Sequence, residues 1–310
     1  MEPDLGMTPM SDPSQQGRLV VGVPTVGRAE ILVETVRAFA DQTRLPDLVL
    51  ICVAAPEDAG GLDRMDLPFK IKILTSAKGL TRQRNRILNA LNERDLLVFL
   101  DDDFLMAPDY LQRVETIFHD HPDVVMITGT VIADGILGPG LDHYAGGRLL
   151  QNGIKDPAPE DLNPAQTGYG CNMSVRLAPV LRNELFFDEK LPLYSWLEDL
   201  DFSDRLRDCG RFVKPAAVRG VHLGTKTGRT PGVFLGYSQI ANPMYLIRKG
   251  TISRKQAYQM IMRHLASNML RTVFPVAWAD YRGRLRGNAI AVMDLITRRS
   301  APDRILTLKP

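Results

Sequence analysis

The chain has 310 residues, 45% hydrophobic and 24% charged, with 38 basic and 36 acidic side chains for a formal charge of +2. This suits one large soluble domain or two modest ones. It excludes a disordered chain, which would carry fewer apolar residues and a larger charge imbalance, and it gives no ground for a nucleic-acid partner.

In chain order, residues 1–17 are mostly Pro, Ser, Gln and Met with scattered charge and no apolar targeting core. A disordered tail is expected there. Residues 18–23 (RLVVGV) read as a buried strand, and residues 29–41 carry Leu32, Val36 and Phe39 at helical spacing. Apolar strands are expected at 48–54, 71–74 and Leu96–Leu100. Helices are expected at 80–92 and 108–119, and a strand at 124–131. Strands alternating with helices imply a mostly parallel α/β sheet covered on both faces, with ligands beyond the carboxyl ends of its strands.

Residues 134–167 are rich in Gly and Pro with little periodicity, and read as a long functional or mobile loop. Order resumes at 170–175, then in a helix at 196–209 and a strand at 212–222. A second loop of Gly, Thr and basic residues covers 224–232. The rest is helical, at 234–249, Arg254–Val273 and 285–297, with Ser253 and Gln256 forming a capping box before the middle helix. No apolar stretch approaches the roughly 20 residues that span a bilayer. Cys52, Cys171 and Cys209 cannot build a disulfide framework and lack C-x-x-C spacing, so a reducing, cytoplasmic setting is expected.

Four groups of residues carry chemistry. Asp101, Asp102 and Asp103 directly follow the strand Leu96–Leu100. Three carboxylates there repel one another unless a cation sits among them, and hard divalent ions take oxygen ligands; a solvated acidic turn is the plain alternative. Glu198 and Asp199 open a helix. Ser195 and Glu198 match the capping pattern S-x-x-E, which gives Glu198 a structural task, whereas Asp199 has none and is a candidate general base. His222 ends a strand, where a structural histidine and a ligand both fit. Residues 78–85 (KGLTRQRN) place basic and amide groups at a helix start, suited to a diphosphate or to a solvated helix face.

Together these pieces resemble a family 2 glycosyltransferase of the GT-A fold, over about residues 18–225. Val23-Pro24-Thr25-Val26-Gly27-Arg28 resembles the first-strand motif of the nucleotide pocket, and residues 79–85 resemble the Gly…Ala-Arg-Asn segment. Phe99-Leu100-Asp101-Asp102-Asp103 looks like the strand ending in D-x-D. Residues 170–174 resemble the acceptor-side strand, and Glu198-Asp199-Leu200-Asp201 looks like the E-D motif. The resemblance implies a mostly parallel, Rossmann-like sheet flanked by helices. It implies a catalytic domain over 18–232 and a C-terminal helical extension over 233–310.

The same resemblance implies an inverting transfer from a UDP-, GDP- or dTDP-linked sugar to a saccharide, lipid-linked or small-molecule acceptor, in polysaccharide or glycoconjugate biosynthesis. Pro24, Thr25, Arg28, Asp58, Arg84, Asn85, Asp101 and Asp102 would meet the donor. Asp101, Asp103 and His222 would hold Mn2+ or Mg2+. Asp199, with Glu198 beside it, would take the acceptor proton. Lys226 and Arg229 would close a loop over the diphosphate. One departure concerns the base of the nucleotide: the second strand runs into Ala55-Pro56-Glu57-Asp58, so Asp58 is offset from the family's base-reading Asp.

Two other readings compete. A sugar-nucleotide nucleotidyltransferase would carry a Gly-rich loop after the first strand, where this chain has one glycine, Gly27. A non-catalytic nucleotide-sugar-binding module of the same fold would have less use for Glu198 and Asp199. Charge divides the chain as well. Residues 254–310 hold 11 basic side chains against Asp280, Asp294 and Asp303, a net of +8, and the first 253 residues carry a net of −6. The basic block is expected to dock on a membrane surface or a phosphate-bearing acceptor, or to form a solvated helical bundle that buttresses the core or pairs subunits.

Overall fold

The computed structural model describes residues 17–228 and 230–309. All but the last residue of the tail expected at 1–17 lies outside them. In chain order the first half comprises β1 (Leu19–Thr25), α1 (Ala29–Arg37), β2 (Leu48–Val53), β3 (Ile71–Thr75), α2 (Leu80–Leu88), β4 (Leu96–Leu100), β5 (Phe104–Met106), α3 (Tyr110–Asp120), β6 (Val124–Thr128) and β7 (Thr130–Asp134). Next come α4 (His143–Gly153), β8 (Leu162–Pro164), β9 (Asn172–Arg176), α5 (Leu177–Arg182), α6 (Glu198–Leu206), β10 (Arg211–Pro215) and β11 (Arg219–His222). The helices α7 (Gly232–Lys249), α8 (Arg254–Val273) and α9 (Tyr281–Ile296) follow.

The main sheet has the order β3-β2-β1-β4-β9-β6-β10-β8. β3, β2, β1 and β4 run parallel, β9 runs antiparallel between β4 and β6, and β10 is parallel to β6. Alternate side chains of each strand face opposite layers. Val21, Val23, Val49 and Ile51 pack with Leu32, Val36, Leu111 and Val114 of α1 and α3. Val20, Leu50, Leu97 and Phe99 pack with Ile87, Val180 and Phe202 of α2, α5 and α6. The continuous apolar runs of β2 and β4 therefore reflect strands covered on both faces.

Three sequence expectations are corrected. The strand expected at 124–131 is two strands, because the chain leaves the main sheet at Gly129 and enters a small sheet of order β5-β11-β7. Asn172 serves the break: its carbonyl accepts Gly129 N–H and its amide donates to Gly129 O. The strand expected at 212–222 divides in the same way into β10 and β11, with Thr130 Oγ1 donating to Pro215 O at the crossing. The loop expected at 134–167 contains α4 and β8. Asp142 caps α4 by accepting Ala145 N–H. Two of the glycines that suggested a loop are packing positions: a Cβ on Gly146 would lie 2.3 Å from Leu223, and one on Gly153 2.6 Å from Ile132.

The capping box of Ser253 and Gln256 opens α8. The backbones of α7 and α9 meet at glycines, where a Cβ on Gly236 or Gly287 would lie 2.0 Å from Arg284 O or Val233 O. No helix among the described residues is long and apolar enough to cross a membrane.

Candidate functional site

The ends of β1, β4 and β11 and the start of β9 converge on one edge, as the topology of a parallel sheet dictates. Thr25, the last residue of β1, donates from Oγ1 to Asp102 Oδ2 at 2.7 Å. Arg28 Nη1 donates to Asp102 Oδ1 at 2.9 Å and lies 3.8 Å from Asp103 Oδ2. Burial pushes the Asp102 carboxyl up to about 6 against the pull of Arg28, with Asp103 adding to the rise. Both Asp102 oxygens thus point back to β1 and its loop.

Asp103 and Asp101 face His222. Asp103 Oδ2 accepts Thr225 N–H at 2.7 Å. Its Oδ1 is buried without a hydrogen bond and stands 3.3 Å from His222 Nε2. Asp101 Oδ2 lies 3.9 Å from the same nitrogen. His222 Nδ1 is 2.9 Å from Asp134 Oδ1, and Asp134 Oδ2 accepts the Tyr169 hydroxyl at 2.8 Å. Burial opposes a charged imidazole, but Asp103, Asp134 and Asp101 outweigh it and hold the His222 pKa up at about 10. Burial likewise acts to raise the Asp103 carboxyl, yet His222, Arg28 and the Thr225 N–H keep it well below the usual carboxylate range.

One ligand atom each from Asp101, Asp103 and His222 falls within 4.8 Å of the others. A divalent cation fits this set. Asp103 Oδ1 is an orphaned buried oxygen, and Asp134 on Nδ1 leaves Nε2 facing the acids, the kind of partner that orients ligating histidines. Two carboxylates and one imidazole suit Mn2+ or Mg2+.

A second group lies beside the first. Arg84 of α2 is fully buried, its guanidinium near the Phe99 and Phe187 rings at 5.5 and 5.3 Å. Its Nη1 donates to Glu198 Oε1 at 2.6 Å. Its Nη2 donates to Gly170 O at 2.7 Å and lies 3.7 Å from Asp101 Oδ1. Asp199 accepts Gly170 N–H at 3.0 Å and Leu200 N–H at 2.8 Å. Glu198 is buried in its ion pair, and Asp199 is the half-buried member of the two. Burial, then Asp199, raise the Glu198 carboxyl against Arg84. Burial also raises that of Asp199, against the Gly170 N–H.

The capping box expected from Ser195 and Glu198 does not form. Ser195 Oγ turns back to Leu191 O at 2.6 Å, and Leu197, at φ 75°, occupies the N-cap. The buried guanidinium takes the Glu198 carboxylate instead, a charge-assisted bond stronger than one to a backbone N–H.

The other expected donor-side residues are placed as follows. Pro24 lies inside β1, in register with Cys52. Asp58 accepts Gly27 N–H at 2.7 Å and Ala55 N–H at 3.2 Å, and so fastens the β1–α1 loop. Asn85 is apart from the acids, pairing with Phe187 N–H and O and with Glu189. Lys226 Nζ donates to Gly135 O and Ile136 O, and Arg28 Nε donates to Thr227 O, so the loop after β11 is tied across the acids. Arg229 lies outside the described residues. Sequence reasoning missed Asp134 and Tyr169, and took Gln83 only as one of the amides of residues 78–85. Asp134 was findable as an acid at a strand end. Gln83 joins β1 to β2 by donating to Thr25 O and Cys52 O, both at 2.7 Å, and leaves no local signal.

A family model described as "Glycosyltransferase like family 2" matches residues 17–135, which include Arg28, Asp101–Asp103 and Asp134 and exclude Glu198, Asp199 and His222. No curated protein matches. Among solved structures, S. aureus TarS 1-349 aligns with a TM-score of 0.53 at 17% identity, covering 93% of this chain and 82% of that one. The same TarS segment in complex with UDP-GlcNAc aligns at 0.52 and 16%, with the same coverages. The Pyrobaculum calidifontis mannosyltransferase PcManGT, in complex with GDP-Man and Mn2+, aligns at 0.52 and 16%, covering 92% and 88%. This chain spans 36% of a longer TarS structure. Residues 17–135 thus match a family 2 glycosyltransferase model, and the chain has the GT-A fold that these structures share.

Proposed function

We propose that this protein is an inverting, cation-dependent glycosyltransferase that moves a sugar from a nucleoside-diphosphate donor to an acceptor hydroxyl. The observation that carries the reading is the pairing of two groups on one sheet edge. Asp101, Asp103 and His222 converge within 4.8 Å, and the half-buried Asp199 lies beyond Arg84, which reaches both Asp101 and Gly170. Arg28, Thr25 and Asp102 shape the donor side, and Asp58 holds their loop.

Asp199 is the base. Its carboxylate is held by two backbone N–H groups, and burial raises its proton affinity. It therefore gains the acceptor proton as the hydroxyl oxygen attacks the anomeric carbon. One displacement with one base inverts the anomeric centre, unlike the two-step route that needs a carboxylate nucleophile. Glu198 neutralises Arg84 and fixes the start of α6 rather than touching substrate. Mn2+ or Mg2+ on Asp101, Asp103 and His222 would neutralise charge that develops on the leaving diphosphate.

The loop carrying Lys226 and Arg229 closes over the diphosphate and excludes water that would hydrolyse the donor. Residues 18–232 form the catalytic unit and 233–310 its helical extension. The donor is a UDP-, GDP- or dTDP-sugar, and the acceptor a saccharide, lipid-linked or small molecule in polysaccharide or glycoconjugate synthesis.

Turnover of a nucleotide-sugar panel with Mn2+, with Mg2+ and with chelator tests this. Slow, cation-dependent release of nucleoside diphosphate is expected. Asp199→Asn should keep donor binding, read as a thermal shift, and lose transfer. Asp103→Asn should weaken the cation-dependent part of that shift. Release of nucleoside triphosphate on adding pyrophosphate, or binding without turnover, would overturn the reading in favour of a nucleotidyltransferase or a binding module.

A further inference from the structure

We infer that the tip of the α8–α9 hairpin is a docking surface for an anionic lipid bilayer. Leu270, Val273 and Phe274 are 58%, 70% and 65% exposed, and Trp278 is 38% exposed. These four fall within nine consecutive residues, so the turn that joins the two helices presents them as one patch. The patch continues along α8. Tyr258, Met262, Met269 and Val273 are exposed, and their spacings of four and seven residues place them on one side of the helix. Ala257, Ile261 and Asn268, each one position before an exposed residue of the stripe, are buried on the neighbouring face, about 100° round the helix. A helix with one face in the protein and one apolar face in solvent has an unmet partner.

Charge chooses the occupant. Arg263 and Arg271 on α8 and Arg282 and Arg286 on α9 are exposed and flank the patch in sequence. They belong to the block whose net charge is +8. Two of its three acids are occupied inside the fold: Asp280 accepts Gly283 N–H as the cap of α9, and Asp294 is buried against the Tyr237 hydroxyl and Arg304. A second copy of this surface would oppose basic side chains to basic side chains. Anionic headgroups complement them, while Phe274 and Trp278 suit the headgroup–acyl boundary. No described helix can span a bilayer, so the hairpin lies on the surface.

Co-sedimentation of the full chain with phosphatidylcholine vesicles, with and without phosphatidylglycerol, tests the inference. Binding is expected only with the anionic lipid, and is expected to fall as salt rises. Each basic residue near such a surface is worth about fivefold in partitioning, so Arg282→Gln with Arg286→Gln should lower it roughly thirtyfold. Phe274→Ser with Trp278→Ser should abolish it. Circular dichroism should show that these exposed changes leave the fold intact. The emission lost in Trp278→Phe should be the part that shifts to the blue on adding anionic vesicles. Absence of binding to either vesicle, or binding that both double variants retain, would overturn the proposal. So would a dimer in light scattering that Phe274→Ser dissolves without any vesicle binding, which would make the patch an interface between copies.

Discussion

Replacing Arg84 by Met should be among the most damaging single changes in the chain, and the structure sets its size. The guanidinium is 1% exposed and its partner Glu198 7%. Removing it leaves a carboxylate buried without its cation and Gly170 O without its donor. Breaking a buried pair from one side costs about 3–5 kcal/mol, a large share of the roughly 5–15 kcal/mol that holds a domain folded. Urea titration reads this directly. Adding Glu198→Gln to Arg84→Met removes the stranded charge, so the double variant should recover about 2 kcal/mol of the summed losses. The pH dependence has a definite sign. Burial and Asp199 raise the folded Glu198 pKa, and Arg84 is the group that opposes them. In Arg84→Met the folded carboxyl therefore binds its proton more tightly than the unfolded one. With Arg84 present that pKa is already raised to about 8, so both proteins lose stability alike as pH climbs from the unfolded value of about 4.3, and the variant's extra loss grows as pH rises through about 8. A loss under about 1 kcal/mol, equal losses in acid and in mild alkali, or strict additivity in the double variant would refute the reasoning.

Lys249→Met should cost about 2–3 kcal/mol in urea titration, because its Nζ bridges Asp188 at 2.6 Å and the fully buried Asp201 at 2.8 Å, while Arg205 and Thr251 remain to serve Asp201. Burial acts to raise the Asp188 carboxyl, but Lys249 and Tyr245 depress it; its stability contribution is present above the unfolded value and lost as pH falls through the folded one, so the variant should show a flatter acid limb. Gly287→Ala should lower the melting temperature although alanine favours helices by about 1 kcal/mol, because the methyl would meet Val233 O at 2.0 Å and push α7 from α9. An unchanged or raised melting temperature would mean that the helices are not in backbone contact there.

The parts of the fold legible in the sequence were those where one segment states its own environment. β2 and β4 are apolar throughout because both faces are covered, and the acids at residues 101–103 stand out because a charged run follows a strand that must end there. What failed was anything decided by a distant segment. Gly129 looks like one more residue of a strand until Asn172 takes both its backbone groups. Gly146 and Gly153 look like loop residues until Leu223 and Ile132 pack against them. Asp134 fell from view with that misread strand, although it completes the histidine's surroundings. Spacing also offered Glu198 a cap when a buried arginine was the better partner, since local pattern cannot weigh a residue more than a hundred positions away.

The C-terminal helices meet the rest of the chain at residues 191–199. Leu193, Ser195 and Leu197 all have positive φ, at 57°, 55° and 75°, a conformation that costs a non-glycine residue roughly 1–2 kcal/mol and persists only where neighbours enforce it. α2 enforces it from one side, through Leu80 N–H to Leu193 O and Thr81 Oγ1 to Leu191 O. The C-terminal helices enforce it from the other: Asn242 donates to Trp196 O at 2.8 Å, and the Trp196 ring meets His264 edge-on at 4.9 Å. The strained segment ends where Glu198 reaches Arg84 and Asp199 reaches Gly170. The position of the proposed base is therefore set jointly by α2 and by α7 and α8. On this geometry the helical extension is part of the site's frame, and its outward face is left free for the membrane.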